Sequence, residues 1–256
     1  MKKFSTEESL WIKNNYRNKT ILDLSLYLGR TKASISGFLN KNGLRSGFDY
    51  SRPNSIGLED EKLCYLLGFI WADGFVDKKG FVDLNILSSD GQKILPIVQY
   101  VEGFRSRLNN RKNKKQTISF ICRNKDFASL LLSLKFNEKS FCEPNKLLSS
   151  MPRKNHYLFW RGFFDGDGCI YDQKTSNTKV SKRVEISGQY NYRWIELSKL
   201  LKSLNCSFCI RRIESSCGKR SLVKIWRKAD VVSFGEYLYS DEGVHGCLMR
   251  KKLKFY

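Results

Sequence analysis

The 256-residue chain carries 46 Lys and Arg against 25 Asp and Glu, a formal net charge of +21, and is 41% hydrophobic with 13% aromatic residues. That apolar fraction can build real cores, which excludes a disordered polymer, and no apolar run approaches the roughly 20 residues needed to cross a bilayer. So basic a surface attracts polyanions through counterion release, and the absence of a lipidation motif or a suitable amphipathic segment favours nucleic acid over a membrane.

The opening Met1-Lys2-Lys3-Phe4-Ser5-Thr6-Glu7-Glu8 has no apolar stretch behind its basic start, so it reads as lacking a secretory leader. The expected setting is the cytoplasm, including that of a phage-infected bacterium, or an organelle. Residues 1–45 then read as three short helices. Ser5 with Glu8 forms a capping box ahead of Leu10-Trp11-Ile12, and a second helix starts after Thr20 with Ile21, Leu24 and Leu28 on one stripe. Gly29-Arg30 turns the chain, Thr31 caps a third helix and Gly43 ends it. Ile35, Phe38 and Leu39 give that helix a buried face, while Lys32, Ser34, Ser36, Asn40 and Lys41 make its outer one. This is a helix-turn-helix pattern, in which the last helix enters a major groove; a plain three-helix unit with a polar face is the bland alternative. Residues 46–57 shift to Gly, Ser, Pro and Asn without periodicity, a linker.

Two matched halves follow, at 58–150 and 151–256. The first has an apolar helix to Asp73-Gly74, then a hairpin around Asp77-Lys78-Lys79-Gly80 whose second strand runs to Leu87. A helix near Gln92–Val101, strands at Arg105–Leu108 and Gln116–Arg123, and a helix from Asp126 to Leu134 complete it. The second has a helix to Asp167-Gly168, strands near Cys169–Tyr171 and Arg183–Ser187, and a helix at Tyr192–Leu204. Strands at Phe208–Ile213 and Leu222–Trp226 and a helix from Asp230 to Tyr239 follow. Each half is therefore α-β-β-α-β-β-α, an α+β fold repeated with a period of about 100 residues.

The leading helices overlay as Leu66-Leu67-Gly68-Phe69-Ile70-Trp71-Ala72-Asp73-Gly74 and Trp160-Arg161-Gly162-Phe163-Phe164-Asp165-Gly166-Asp167-Gly168. Gly68 with Ala72, and Gly162 with Gly166, put small residues on one helix face, where two backbones can approach closely. The final glycine of each is expected to leave the helix with positive φ. Asp73 and Asp167 then stand beside the C-terminal carbonyls, where the helix dipole disfavours a carboxylate. A divalent cation reverses that account, making a hard-oxygen site suited to Mg²⁺ that can polarise a phosphodiester.

These paired motifs resemble those of the LAGLIDADG homing endonucleases, in the single-chain form with two fused halves, from about residue 58 onward. The resemblance implies motif helices packed across a pseudo-two-fold axis, with the strands of each half forming a saddle over double-stranded DNA. It implies a monomer acting as a pseudo-dimer that cuts both strands across the minor groove, leaving short 3′ overhangs. The acid at the eighth motif position binds the metal, Mg²⁺ or Mn²⁺; here these are Asp73 and Asp167, with the backbone carbonyls of Ala72 and Gly166 as further ligands. The sixth position, Trp71 and Asp165, departs from Asp once and is not the catalytic one in the family. A basic residue near the end of each half's last strand points to Arg123, Lys125, Arg227 and Lys228, with Lys125 and Lys228 in the catalytic role. A polar residue after the second strand, organising water near the scissile phosphates, points to Ser88 and Gln189, with Gln189 in the catalytic role.

Basic strand residues would contact DNA: Arg105, Arg107, Arg111 and Arg123 in the first half, and Arg211, Lys224 and Arg227 in the second. Arg250-Lys251-Lys252-Leu253-Lys254 reads as a further backbone contact or a loose tail. Of the 8 cysteines, Cys64, Cys122 and Cys169 sit in apolar patterns as buried free thiols do; Cys206, Cys209 and Cys217 suggest zinc only faintly. The alternative function is a non-cleaving DNA-binding regulator or an RNA maturase on the same scaffold. The endonuclease portion of an intein is disfavoured, because the terminal Cys or Ser and the His-Asn that splicing needs are missing.

Overall fold

The computed structural model describes residues 4–16, 21–44, 57–109, 115–174, 180–216, 218–241 and 246–256. The expected linker therefore lies almost wholly outside the described residues, as does Arg111. Two compact units are formed, Met1–Asn54 and Ser55–Tyr256.

In the first unit, α1 (Thr6–Asn15), α2 (Ile21–Leu28) and α3 (Lys32–Lys41) enclose Ile12, Leu24, Ile35 and Leu39. The capping box forms as read: the Glu8 N–H donates to Ser5 Oγ at 3.0 Å and the Ser5 N–H to Glu8 Oε2 at 2.8 Å. Glu8 also takes Arg30 at 2.8 Å, tying α1 to the turn that precedes α3. Thr31 caps α3 by accepting the Ser34 N–H at 3.2 Å, and Gly43 leaves it at φ +64°.

The second unit repeats one topology. Its first half runs α4 (Glu61–Asp73), β1 (Gly74–Val76), β2 (Val82–Leu87), α5 (Ser88–Val98), β3 (Phe104–Asn109), β4 (Thr117–Cys122) and α6 (Lys125–Ser133). After a connector holding α7 (Asn145–Ser150), the second half runs α8 (His156–Asp167), β5 (Gly168–Lys174), β6 (Val180–Gln189) and α9 (Ile195–Ser203). It ends in β7 (Phe208–Ser215), β8 (Gly218–Ile225) and α10 (Lys228–Leu238), and a last short helix, α11 (Met249–Lys252), follows. The two antiparallel four-stranded sheets have the matching orders β1-β2-β4-β3 and β5-β6-β8-β7. The fold is thus α+β, with the α-β-β-α-β-β-α pattern in both halves.

Strand alternation decides which side of each sheet is core. Along β2, Val82, Leu84 and Ile86 turn inward while Asp83, Asn85 and Leu87 face out. The same alternation corrects one cysteine: Cys169, between buried Gly168 and Ile170 on β5, is exposed, whereas Cys64 and Cys122 are buried.

The inward faces close over α4 and α8. On α4 every residue from Leu63 to Trp71 is buried, as a helix central to a domain requires. The two helices meet at their glycines. A Cβ on Gly68 would stand 2.0 Å from the Phe159 carbonyl oxygen, and one on Gly162 would stand 2.0 Å from that of Tyr65. Toward the helix ends, a Cβ on Gly166 would meet the Ala72 Cβ at 2.5 Å. Gly68, Gly162 and Gly166 thus each leave no room for a Cβ against the facing helix, and Ala72 is the neighbour of Gly166.

Candidate metal centre and nucleic-acid interface

Close crossing brings the ends of α4 and α8 together. A Cβ at Gly166 would lie 3.3 Å from Asp73 Oδ2, and Asp167, the next residue, lies near enough to Asp73 for the two charges to interact. The glycines that follow differ from expectation: Gly74 has φ −77° and Gly168 φ −82°, both extended. A strand begins at once, and glycine is required for space rather than handedness. A Cβ on Gly74 would meet the Ile70 carbonyl oxygen at 2.7 Å, and one on Gly168 the Phe164 ring at 2.2 Å.

The surrounding protein raises both carboxyls. For Asp167, half-buried, desolvation and then the neighbouring Asp73 push the pKa to about 6. Asp73 is exposed, yet desolvation by the surrounding protein raises it too. Two lysines oppose these shifts; the sequence offers Lys251 only as part of a basic tail and does not single out Lys139. The Lys139 ammonium donates to the last carbonyls of α4, Ile70 at 3.0 Å, Trp71 at 2.6 Å and Ala72 at 3.4 Å. Lys251, only 6% exposed, donates to Phe164 at 2.9 Å, Asp165 at 2.7 Å, Gly166 at 3.0 Å and Gly168 at 2.7 Å at the end of α8. Neither helix has a basic residue in its last turn, so these distant lysines supply the cation that the dipole favours. Burial lowers both ammonium groups, Lys139 to about 8. Of the two acids, Lys139 acts more strongly on Asp167, while Lys251 is the chief cation acting on Asp73.

One signal could have found Lys251. Leu248, Lys251 and Phe255 recur at helical spacing and all three are buried, so the lysine occupies an apolar stripe. The basic run is a helix folded onto the site rather than a tail, and Arg250 pairs with nearly buried Asp90. Asp165 fixes the approach: its carboxylate accepts the Tyr65 and Tyr239 hydroxyls, both at 2.9 Å, and the Leu248 N–H at 2.7 Å. Lys139 left no comparable trace, because it follows a single 3-10 turn (Phe136–Glu138) with no periodicity to read.

The remaining sequence candidates spread outward. Lys125 and Lys228 stand exposed as the first residues of α6 and α10, with Arg123 and Arg227 exposed just before those helices. Gln189 is exposed at the end of β6, while Ser88 is buried at the start of α5. On the solvent face of the first sheet, Arg105 lies opposite Ile121 and Arg107 opposite Ser119, both arginines exposed. On the second, Tyr171, Arg183, Glu185, Arg211, Lys224 and Trp226 line a recess of about 400 Å³. Lys224 there is ion-paired with Glu185, which also accepts the Tyr171 hydroxyl at 2.7 Å. In the first unit Lys32, Asn40 and Lys41 are exposed and Ser34 and Ser36 half-buried on α3. Among the described residues no helix is long and apolar enough to cross a membrane.

No family model and no curated protein matches the chain. Solved structures similar to it include the meganuclease I-SmaMI bound to uncleaveable DNA, at 14% identity over 68% of this chain and 83% of that one, TM-score 0.44. Another is the I-LtrWI LAGLIDADG homing endonuclease bound to target DNA, at 14% identity over 76% and 88%, TM-score 0.46. A third is full-length WhiA from Thermatoga maritima, at 20% identity, where 80% of this chain spans 61% of that one, TM-score 0.46. In fold, the chain is similar to LAGLIDADG homing endonucleases and to the LAGLIDADG domain of WhiA.

Proposed function

We propose that the chain is a site-specific DNA endonuclease that makes a metal-dependent double-strand break by phosphodiester hydrolysis, one half addressing each strand. The observation that carries this reading is the proximity of Asp73 and Asp167 at the ends of two glycine-packed helices. Their raised affinity for protons fits a pair awaiting a cation, since carboxylates crowded together gain most from a positive partner. The donor set is hard oxygen and suits Mg²⁺ or Mn²⁺: Asp73 and Asp167 would hold it, with the Ala72 and Gly166 carbonyls as neighbours. Bound there, it would supply Lewis-acid polarisation of the phosphodiester. The chain's own residues orient and neutralise. Lys139 and Lys251 fix the helix ends and offset the acids, and Arg105, Arg107 and Arg211 offer phosphate contacts.

A second reading, a non-cleaving DNA-binding regulator or RNA maturase, draws on the ammonium groups that already satisfy the Ala72 and Gly166 carbonyls. Incubation with a randomised duplex library separates the two. Linear cleavage products with Mg²⁺ and none in EDTA are expected. Duplex retained without scission in either condition would leave the second reading, and no retention would end both.

The first unit is proposed as a helix-turn-helix module whose α3 outer face enlarges the target. Reversing Lys32 and Lys41 to Glu should weaken duplex binding at least roughly tenfold and flatten the log–log salt slope by about 2. Binding isotherms over a salt series test this, and an unaltered slope would remove α3 from the interface.

A further inference from the structure

We propose that Tyr192, from the second half, is a positioning residue that holds Lys139 against the end of the first motif helix, so that cleavage of one strand depends on it more than cleavage of the other. This deepens the nuclease reading and rests on it.

Three hydrogen bonds close a circuit. The Trp71 carbonyl accepts from Lys139 Nζ at 2.6 Å, the Lys139 carbonyl accepts from the Tyr192 hydroxyl at 2.7 Å, and that hydroxyl accepts from Trp71 Nε1–H at 3.0 Å. Tyr192 and Trp71 are each only 3% exposed. In so dry a place a phenylalanine would fill the volume; the hydroxyl is there for its two partners. Its neighbours strengthen the grip: Asn191 Nδ2 donates to the Phe141 carbonyl at 3.0 Å. The Glu143 carboxylate accepts the Trp194 and Ile195 N–H groups, both at 2.9 Å, and that of Arg193. The segment following β6 therefore clamps the connector that carries Lys139.

Lys251 is held by other means. Its N–H donates to the Leu248 carbonyl at 2.7 Å within α11, and Asp165 anchors Leu248. No described bond links Tyr192 to that assembly, so losing its hydroxyl unseats one lysine and spares the other. The unlike sixth motif residues thereby act alike: Trp71 and Asp165 each help fix the segment bearing their own helix's lysine.

The test is Tyr192→Phe, with Trp71→Phe as a second variant that breaks the same circuit at its other end. Brief acetylation with N-hydroxysuccinimidyl acetate, mapped by mass spectrometry without added metal, should label Lys139 roughly tenfold faster in either variant and leave Lys251 unchanged. On supercoiled plasmid bearing the cleavable site, the nicked-to-linear product ratio should rise roughly tenfold. Labelling that rises equally at both lysines, or at neither, overturns the inference as mere loosening or no role. Wild-type nicking ratios in variants of a cutting enzyme overturn it while leaving the nuclease reading intact. A wild type that cuts nothing with Mg²⁺ fails both.

Discussion

On the proposed function, Asp167→Asn is expected to lower double-strand cleavage by on the order of a thousandfold or more, and to stabilise the metal-free protein at pH 8. The two effects have one origin. Desolvation and then the neighbouring Asp73 raise the Asp167 pKa to about 6 from its ordinary 3.8, so the folded chain binds a proton there that the unfolded chain gives up. The associated stability is complete below pH ~4 and is lost as pH rises through ~6. Above that, the ionised carboxylate is a burden of about 2 kcal/mol once solvent access is allowed for, and asparagine removes it. Thermal melts in EDTA should show the variant gaining on wild type between pH 4 and pH 8, with cleavage scored separately in Mg²⁺. Asp73→Asn should match the loss of activity. A variant less stable than wild type at pH 8, or one still cutting both strands, would remove Asp167 from the assigned role.

Gly162→Ala costs about 3 kcal/mol or more, although the substitution adds one methyl and favours helix. The new carbon would stand 2.0 Å from the Tyr65 carbonyl oxygen and 2.8 Å from the Phe69 nitrogen. Both are main-chain atoms, so relief requires separating two helices rather than turning a side chain. Gly68→Ala meets the mirror obstacle at Phe159 and should behave alike. Gly37, in α3, is the control: nothing lies within 4 Å of its added carbon, and Gly37→Ala should be neutral or stabilise by up to ~1 kcal/mol. Urea midpoints for the three variants decide it; equal small shifts would mean that the crossing is looser than described.

The parts of the fold legible in the sequence are those written in short-range pattern. Ser5 with Glu8 and Thr31 mark helix starts because a cap and its target lie three residues apart. Valine, leucine and isoleucine at every second place in β2 announce its buried face. The two Asp-Gly helix ends were legible because one nine-residue motif occurs twice. What escaped depends on residues remote in sequence. Lys139 finds its carbonyls 67 to 69 positions upstream, and Lys251 finds its own 83 to 87 positions upstream. No window on the chain encodes such pairs. Gly74 and Gly168 look like any helix-ending glycine, and only the neighbouring Ile70 and Phe164 reveal that the demand is for volume.

The two lysines also bear on the order in which partners can arrive. With Asp73 and Asp167 ionised and both ammonium groups protonated, the two lysines offset the two acids, while buried Asp165 adds a further carboxylate beside Lys251. A bare carboxylate pair would repel an approaching phosphate until a cation had settled, making cation loading a prerequisite for docking. Lys139 and Lys251 ease that requirement. Under the proposed function, DNA would be able to seat on the basic sheets before the cation or after it, because the lysines already offset the two acids.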